Sequence, residues 1–154
     1  MFLTRRIARP MLSAMFIVGG LDSLRNPEAK VPKAEKVAPA LARPLGLPED
    51  SATLVKINGA VQIGAGVMLA VGRFPRLAAT ALAASLLPTT LAGHRFWEVT
   101  DEQARAAQRI HFLKNTSMLG GLILAATDLE GRPSLSWRAR RAAKKASHVL
   151  PTSG

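Results

Sequence analysis

Apolar residues gather along the chain into four blocks, roughly Ile7 to Leu24, Ile57 to Val71, Leu77 to Ala92 and Ile110 to Thr127, and charged residues concentrate between them. A bilayer core about 30 Å thick takes about 17 to 25 helical residues, so each block is near spanning length. The middle two reach it only by borrowing flanking turns. The blocks lack the sustained polar stripe that a soluble amphipathic helix needs, and Leu77 to Ala92 holds no charged residue at all. The pattern predicts an all-α integral membrane protein, a four-helix bundle running up-down-up-down. A soluble four-helix bundle is the competing fold, and the missing charged faces count against it.

The connections refine this picture. Arg25 to Asp50 contains Pro27, Pro32, Pro39, Pro44 and Pro48, too closely spaced for a long helix. It reads as a surface loop with a short interfacial helix around Lys33 to Leu41. Pro48-Glu49-Asp50-Ser51 is a helix start, with acids at the positive end of the helix dipole, and that helix closes at Gly72. Arg73-Phe74-Pro75-Arg76 is a tight turn that forces antiparallel neighbours. Gly93 to Arg109 forms the next loop, with Phe96 and Trp97 as interface anchors and an amphipathic stretch from Thr100 to Gln108. The sequence divides into a transmembrane domain at 1–135 and a basic cytoplasmic tail at 136–154, in which Ser136 to Ser147, led by Trp137, reads as a basic interfacial helix. Met1 to Gly20 imitates a signal peptide, but it pairs naturally with the second block and reads as a retained helix.

A net charge of +11 with a hydrophobic fraction of 48% and a mean hydropathy of +0.15 is explained by where the charges lie. Arg5, Arg6, Arg9, Arg73, Arg76, Arg132, Arg138, Arg140, Arg141, Lys144 and Lys145 share one side with only Asp128 and Glu130. On the other side, basic and acidic residues nearly balance. The positive-inside rule therefore puts both termini in the cytoplasm. Nucleic acid is not an expected partner, since the basic tail has only Trp137 beside it and no recognisable binding module. With no cysteine in the chain, thiolate catalysis, disulfides and iron–sulfur clusters are excluded.

Polar residues inside the blocks hold the candidate chemistry. Asp22 and Arg25 end the first helix; Lys56, Asn58 and Gln62 begin the second; Thr89, Thr90 and His94 end the third; His111, Lys114 and Asn115 begin the fourth. All fall at one depth, in the outer half. Helical spacing makes neighbours of Asn58 and Gln62, of Thr90 and His94, and of His111 with Lys114 and Asn115. The set Asp22, Asn58, Gln62, His94, His111, Lys114 and Asn115 is the expected polar pocket, with Lys114 paired to Asp22 across the bundle, because unpaired charge in a bilayer costs several kcal/mol. Interfacial anchoring by snorkelling is the competing role for Lys56, Arg25 and His94. Two histidines without a third ligand do not make a metal site, so no metal is expected. Among the small residues, Ala60 and Gly64 have small-xxx-small spacing, which marks Gly64 as a helix-packing contact.

Several stretches carry a family resemblance: Phe16-Ile17-Val18-Gly19-Gly20, the block from Gln62 to Ala79 through Gly72-Arg73-Phe74-Pro75-Arg76, and Gly131-Arg132-Pro133-Ser134-Leu135. Together they resemble the DoxX family of small four-helix membrane proteins. Pro88 to Trp97 and His111 to Asn115 are similar to its actinobacterial members. The resemblance implies a subunit of a redox assembly: members are linked to a quinol oxidase, to thiosulfate oxidation with quinone as acceptor, and to a complex with a superoxide dismutase and a sulfurtransferase. Many members have a glutamate where this chain has Gln62, and a histidine in the first helix where it has Val18, Gly19 and Gly20. Losing that ionisable pair removes proton-transfer capacity.

The expectation is therefore a non-catalytic membrane subunit or scaffold of a redox or oxidative-stress assembly, with soluble redox enzymes or further copies of itself as partners and lipid around it. Two rivals stand beside it. One is a quinone- or thiosulfate-linked oxidoreductase subunit with quinone as the cofactor, and the other is a small-solute permeation protein.

Overall fold

The computed structural model describes residues 2–128 and 140–141. The expected tail helix over Ser136 to Ser147, and nearly all of the domain at 136–154, lie outside them. Among the described residues the fold is all-helical: α1 (Phe2–Arg25), the short α2 (Val31–Ala34) and α3 (Ala38–Leu45), then α4 (Ser51–Ala70), α5 (Pro75–Gly93) and α6 (Glu102–Thr127). Among the described residues, three helical stretches are long and apolar enough to cross a membrane: Leu3–Arg25, Ser51–Ala70 and Pro75–Glu98. The fourth long helix, α6, is diluted by Lys114, Asn115, Thr116 and Ser117 in its middle.

Local chemistry sets the boundaries. Asp50 caps α4 by accepting from the Thr53 amide at 2.7 Å, and Asp101 does the same for α6 through the Ala104 amide at 2.7 Å. Each carboxylate satisfies an orphan donor at the positive helix end. The second cap starts α6 at Glu102, so the stretch expected as an amphipathic loop from Thr100 to Gln108 is mostly the opening turns of the last long helix. Instead of one short helix around Lys33 to Leu41, two form, and Gly46 in the left-handed conformation at φ 61° closes the second.

The long helices pack in chain order. α1 lies along α4, α4 along α5 and α5 along α6, whereas α1 and α6 meet at few points. The α1–α4 seam rests on backbone approach: a Cβ on Gly59 would stand 2.9 Å from the Gly20 carbonyl, and one on Gly20 would stand 2.7 Å from the Gly59 carbonyl. Small residues permit this contact, and dispersion then acts over long stretches of backbone. The α5–α6 side is filled by larger groups, with Leu82 and Leu122 fully buried among Ala78, Ala79 and Leu86.

Polar and apolar residues are distributed inside out. Leu3, Ile7, Met11, Met15, Val18 and Leu21 form an exposed apolar stripe on α1, while Ser13, Ser23, Gln62, Ser85, Thr90 and Asn115 are buried. In water this surface would be a severe aggregation liability. Against lipid tails the outward stripe costs nothing, and the buried hydroxyls and amides find their partners inside.

One end is clasped by arginine. Arg5 grips Asp128 in a two-pronged contact, Nε to Oδ2 at 2.7 Å and Nη2 to Oδ1 at 2.9 Å, and Arg9 lies 3.6 Å from the same carboxylate. Arg76 Nε donates to the Ala126 carbonyl at 2.9 Å, a cation at the negative end of the α6 dipole.

Candidate functional site: a neutral polar layer inside the bundle

At one depth, α4 and α5 are joined by hydrogen-bonded side chains. Asn58 and Gln62 stand one turn apart on α4, and both reach Ser85 of α5. Gln62 Nε2 donates to Ser85 Oγ at 3.0 Å, and Ser85 Oγ donates onward to Asn58 Oδ1 at 2.8 Å. The hydroxyl thus accepts from one amide and donates to the other. A second link joins α5 to α6, where buried Asn115 donates from Nδ2 to Thr90 Oγ1 at 3.1 Å and Thr90 donates to the Leu86 carbonyl at 2.8 Å. Such bonds are the main way to bury amides where no water competes, because an unsatisfied amide costs several kcal/mol.

Above this layer, His94 and His111 stack with ring centroids 5.2 Å apart, and His94 Nδ1 lies 2.8 Å from Gln108 Oε1. Phe96, Trp97 and Phe112 form an edge-to-face cluster with centroid separations of 5.1 to 5.9 Å. An ion-pair chain crosses the same end: Lys36 lies 3.3 Å from Glu98, which Arg95 grips at 2.9 Å.

The structure therefore brings together Asn58 with Gln62, Asn115 with Thr90, and His94 with His111. It does not bring Asp22 to Lys114. Asp22 Oδ2 is paired with Lys30 Nζ at 2.6 Å and its Oδ1 accepts from Asn26 at 3.1 Å, while Lys114 is exposed. The loop after α1 folds back and delivers Lys30 to the helix end, where it also donates to Ser23 Oγ at 2.8 Å. A local cation thus replaces the expected cross-bundle one.

Gly64 is the second correction. It is exposed, and a Cβ there would meet nothing within 4 Å. The packing role passes to Gly20, Gly59 and Gly66, because small-xxx-small spacing fixes a period and not the face it points to. Sequence reasoning also missed Ser85, the hub of the layer. Its signal was a hydroxyl in an otherwise uncharged apolar block, four residues before Thr89 and five before Thr90.

Chemically, Asn58, Gln62, Ser85, Thr90 and Asn115 are neutral across the physiological range and can only donate or accept hydrogen bonds. Gln62 faces the first helix at Gly19, where an added Cβ would stand 3.7 Å from Gln62 Oε1. No group of three or more potential metal-ligating side chains assembles among the described residues.

A model of the DoxX family matches residues 5–95, a stretch that runs from α1 through α5 and leaves α6 beyond its end. No curated protein and no solved structure matches the chain significantly.

Proposed function

Since this chain belongs to the DoxX family of membrane proteins, we propose that it serves as a non-catalytic membrane subunit or scaffold of a redox or oxidative-stress assembly. In this reading α6 crosses the bilayer with α1, α4 and α5, completing an up-down-up-down four-helix bundle in a bacterial plasma membrane. Both termini are cytoplasmic, since Arg5, Arg6, Arg9, Arg73 and Arg76 gather at one end.

The observation that carries the proposal is the hydrogen-bonded chain Gln62–Ser85–Asn58. Its members are neutral and joined through Ser85, and an amide has no accessible pKa at the position facing the first helix. A layer of this kind fixes helix register and supports a partner; it does not shuttle protons. The rival, a quinone-linked subunit, draws on the stacked His94–His111 pair with Gln108 beside it, where ring nitrogens stand ready to hydrogen-bond a small acceptor.

Mass spectrometry of material purified in mild detergent separates the two. The proposal expects a stoichiometric soluble redox enzyme that copurifies with the chain and is retained by the His94→Phe variant. A stoichiometric quinone, lost in His94→Phe, would establish the rival in its place.

A further inference from the structure

The arginine-rich end carries a surface that the interior layer does not use. The connection between α4 and α5, residues 71–74, leads into the first turn of α5 through Gly72-Arg73-Phe74-Pro75-Arg76, and two residues have left-handed backbone, Gly72 at φ 73° and Phe74 at φ 48°. Glycine suits its position twice over, because Nη1 of Arg9 would lie 3.2 Å from any Cβ placed there. Phe74 has no comparable reason. A bulky side chain at positive φ is a strained exception that glycine would relieve, yet the ring is 64% exposed.

Around Phe74 the surface is two-toned. Val71 and Leu77 are exposed apolar neighbours at 70% and 66%. Arg73 is exposed and makes no ion pair among the described residues. Arg76 is held through its Nε to the Ala126 carbonyl, and Arg9 reaches the turn from α1. Asp128 is the one described acid at this end, and Arg5 and Arg9 share it. Cationic groups beside exposed apolar ones, at the end of a membrane helix pair, match a phosphate headgroup with its acyl chains.

We propose that the α4–α5 turn is a binding site for an anionic phospholipid, its phosphate held by Arg73 and Arg76 and its acyl chains lying against Phe74 and Leu77. The strain at Phe74 is then a cost accepted for a lipid contact, since among the described residues no contact accounts for the exposed ring.

The test is native mass spectrometry of the full chain in detergent, titrated with phosphatidylglycerol or phosphatidylcholine, with inorganic phosphate as competitor. Phosphatidylglycerol should be retained in preference to phosphatidylcholine. Arg73→Gln should weaken its retention about fivefold, and adding Arg76→Gln should weaken it about 25-fold. Phe74→Gly should weaken retention without lowering the melting temperature in lipid-free detergent, because it relieves the backbone. A charge-matched control at the opposite end, Arg105→Gln with Arg109→Gln in the first turns of α6, should change retention by less than about twofold, below the single-arginine effect. Equal retention of the two lipids, full displacement by inorganic phosphate, an unchanged affinity in Arg73→Gln, or an equal loss in the control would each overturn the proposal.

Discussion

On α4, Gly66 packs against Ile17 and the Ser13 carbonyl, while Gly64, two positions earlier, has open space where a Cβ would stand. The same helix buries Gly59, Gln62, Ala65 and Leu69 on one side and exposes Ile57, Val61 and Val67 on the other. The buried side is thus the more polar and the smaller, and the exposed side the more apolar. Small residues allow backbone contact with α1, amides reach Ser85, and the branched side chains meet lipid. Residue type alone does not sort the faces; the partner helix does.

The sharpest way to break this comparison is to enlarge each face in turn. Gly59→Leu should be the most damaging single change, since any side chain there strikes the Gly20 backbone and cannot be relieved by a rotamer change. Overpacking of this kind costs about 1 to 3 kcal/mol, and backbone collision belongs at or above the upper end. Gly64→Leu should leave the melting temperature in detergent unchanged.

Next comes the polar layer. Gln62→Leu and Ser85→Ala should each lower stability by about 1 kcal/mol, the scale of an interhelical hydrogen bond in a membrane bundle. The double variant should lose less than the sum, because both changes remove the same Gln62–Ser85 bond, while Ser85→Ala alone also removes the one to Asn58. Strictly additive losses would mean that Gln62 and Ser85 act separately.

A smaller effect sharpens the account of the charges. Lys30→Met should lower the melting temperature and Lys114→Met should not, with non-additivity appearing only between Asp22 and Lys30. The reverse pattern would restore a cross-bundle pair.

The smallest effect is at the start of α4. Hydrogen bonds from Thr53, side chain first and amide second, hold the Asp50 carboxyl below its ordinary value of 3.8. A depressed carboxylate pKa contributes stability above the unfolded value and loses it as pH falls through the folded one. The melting-temperature gap between Asp50→Ala and the parent should be full at pH 7 and close in acid below the ordinary carboxylate range.

What was legible in the sequence was set by range. The helices could be read because their apolar blocks and caps are local: Asp50 before α4, the Gly72 turn, the charged gaps. Asn58 beside Gln62 followed from helical spacing alone, whereas the stacking of His94 on His111 joins two helices and was not read from their shared depth. Lys30 could not be foreseen as the partner of Asp22, because that pair depends on how the loop after α1 turns back. The face of Gly64 and the hub role of Ser85 depend on helix rotation, and the apolar period gives no rotation when lipid and core are equally apolar.

The central claim is that α4 turns its small and polar face inward and its apolar face to lipid. With no cysteine in the chain, single-cysteine variants at Val61, Ala65, Val67 and Leu69 can carry nitroxide labels in liposomes, with collision rates measured for oxygen and for a water-soluble nickel complex. The account predicts high oxygen access at positions 61 and 67, low oxygen access at 65 and 69, and low nickel access at all four. High nickel access at 61 and 67 would mean that the exposed face meets water, and oxygen access highest at 65 and 69 would mean that the helix is packed the other way round.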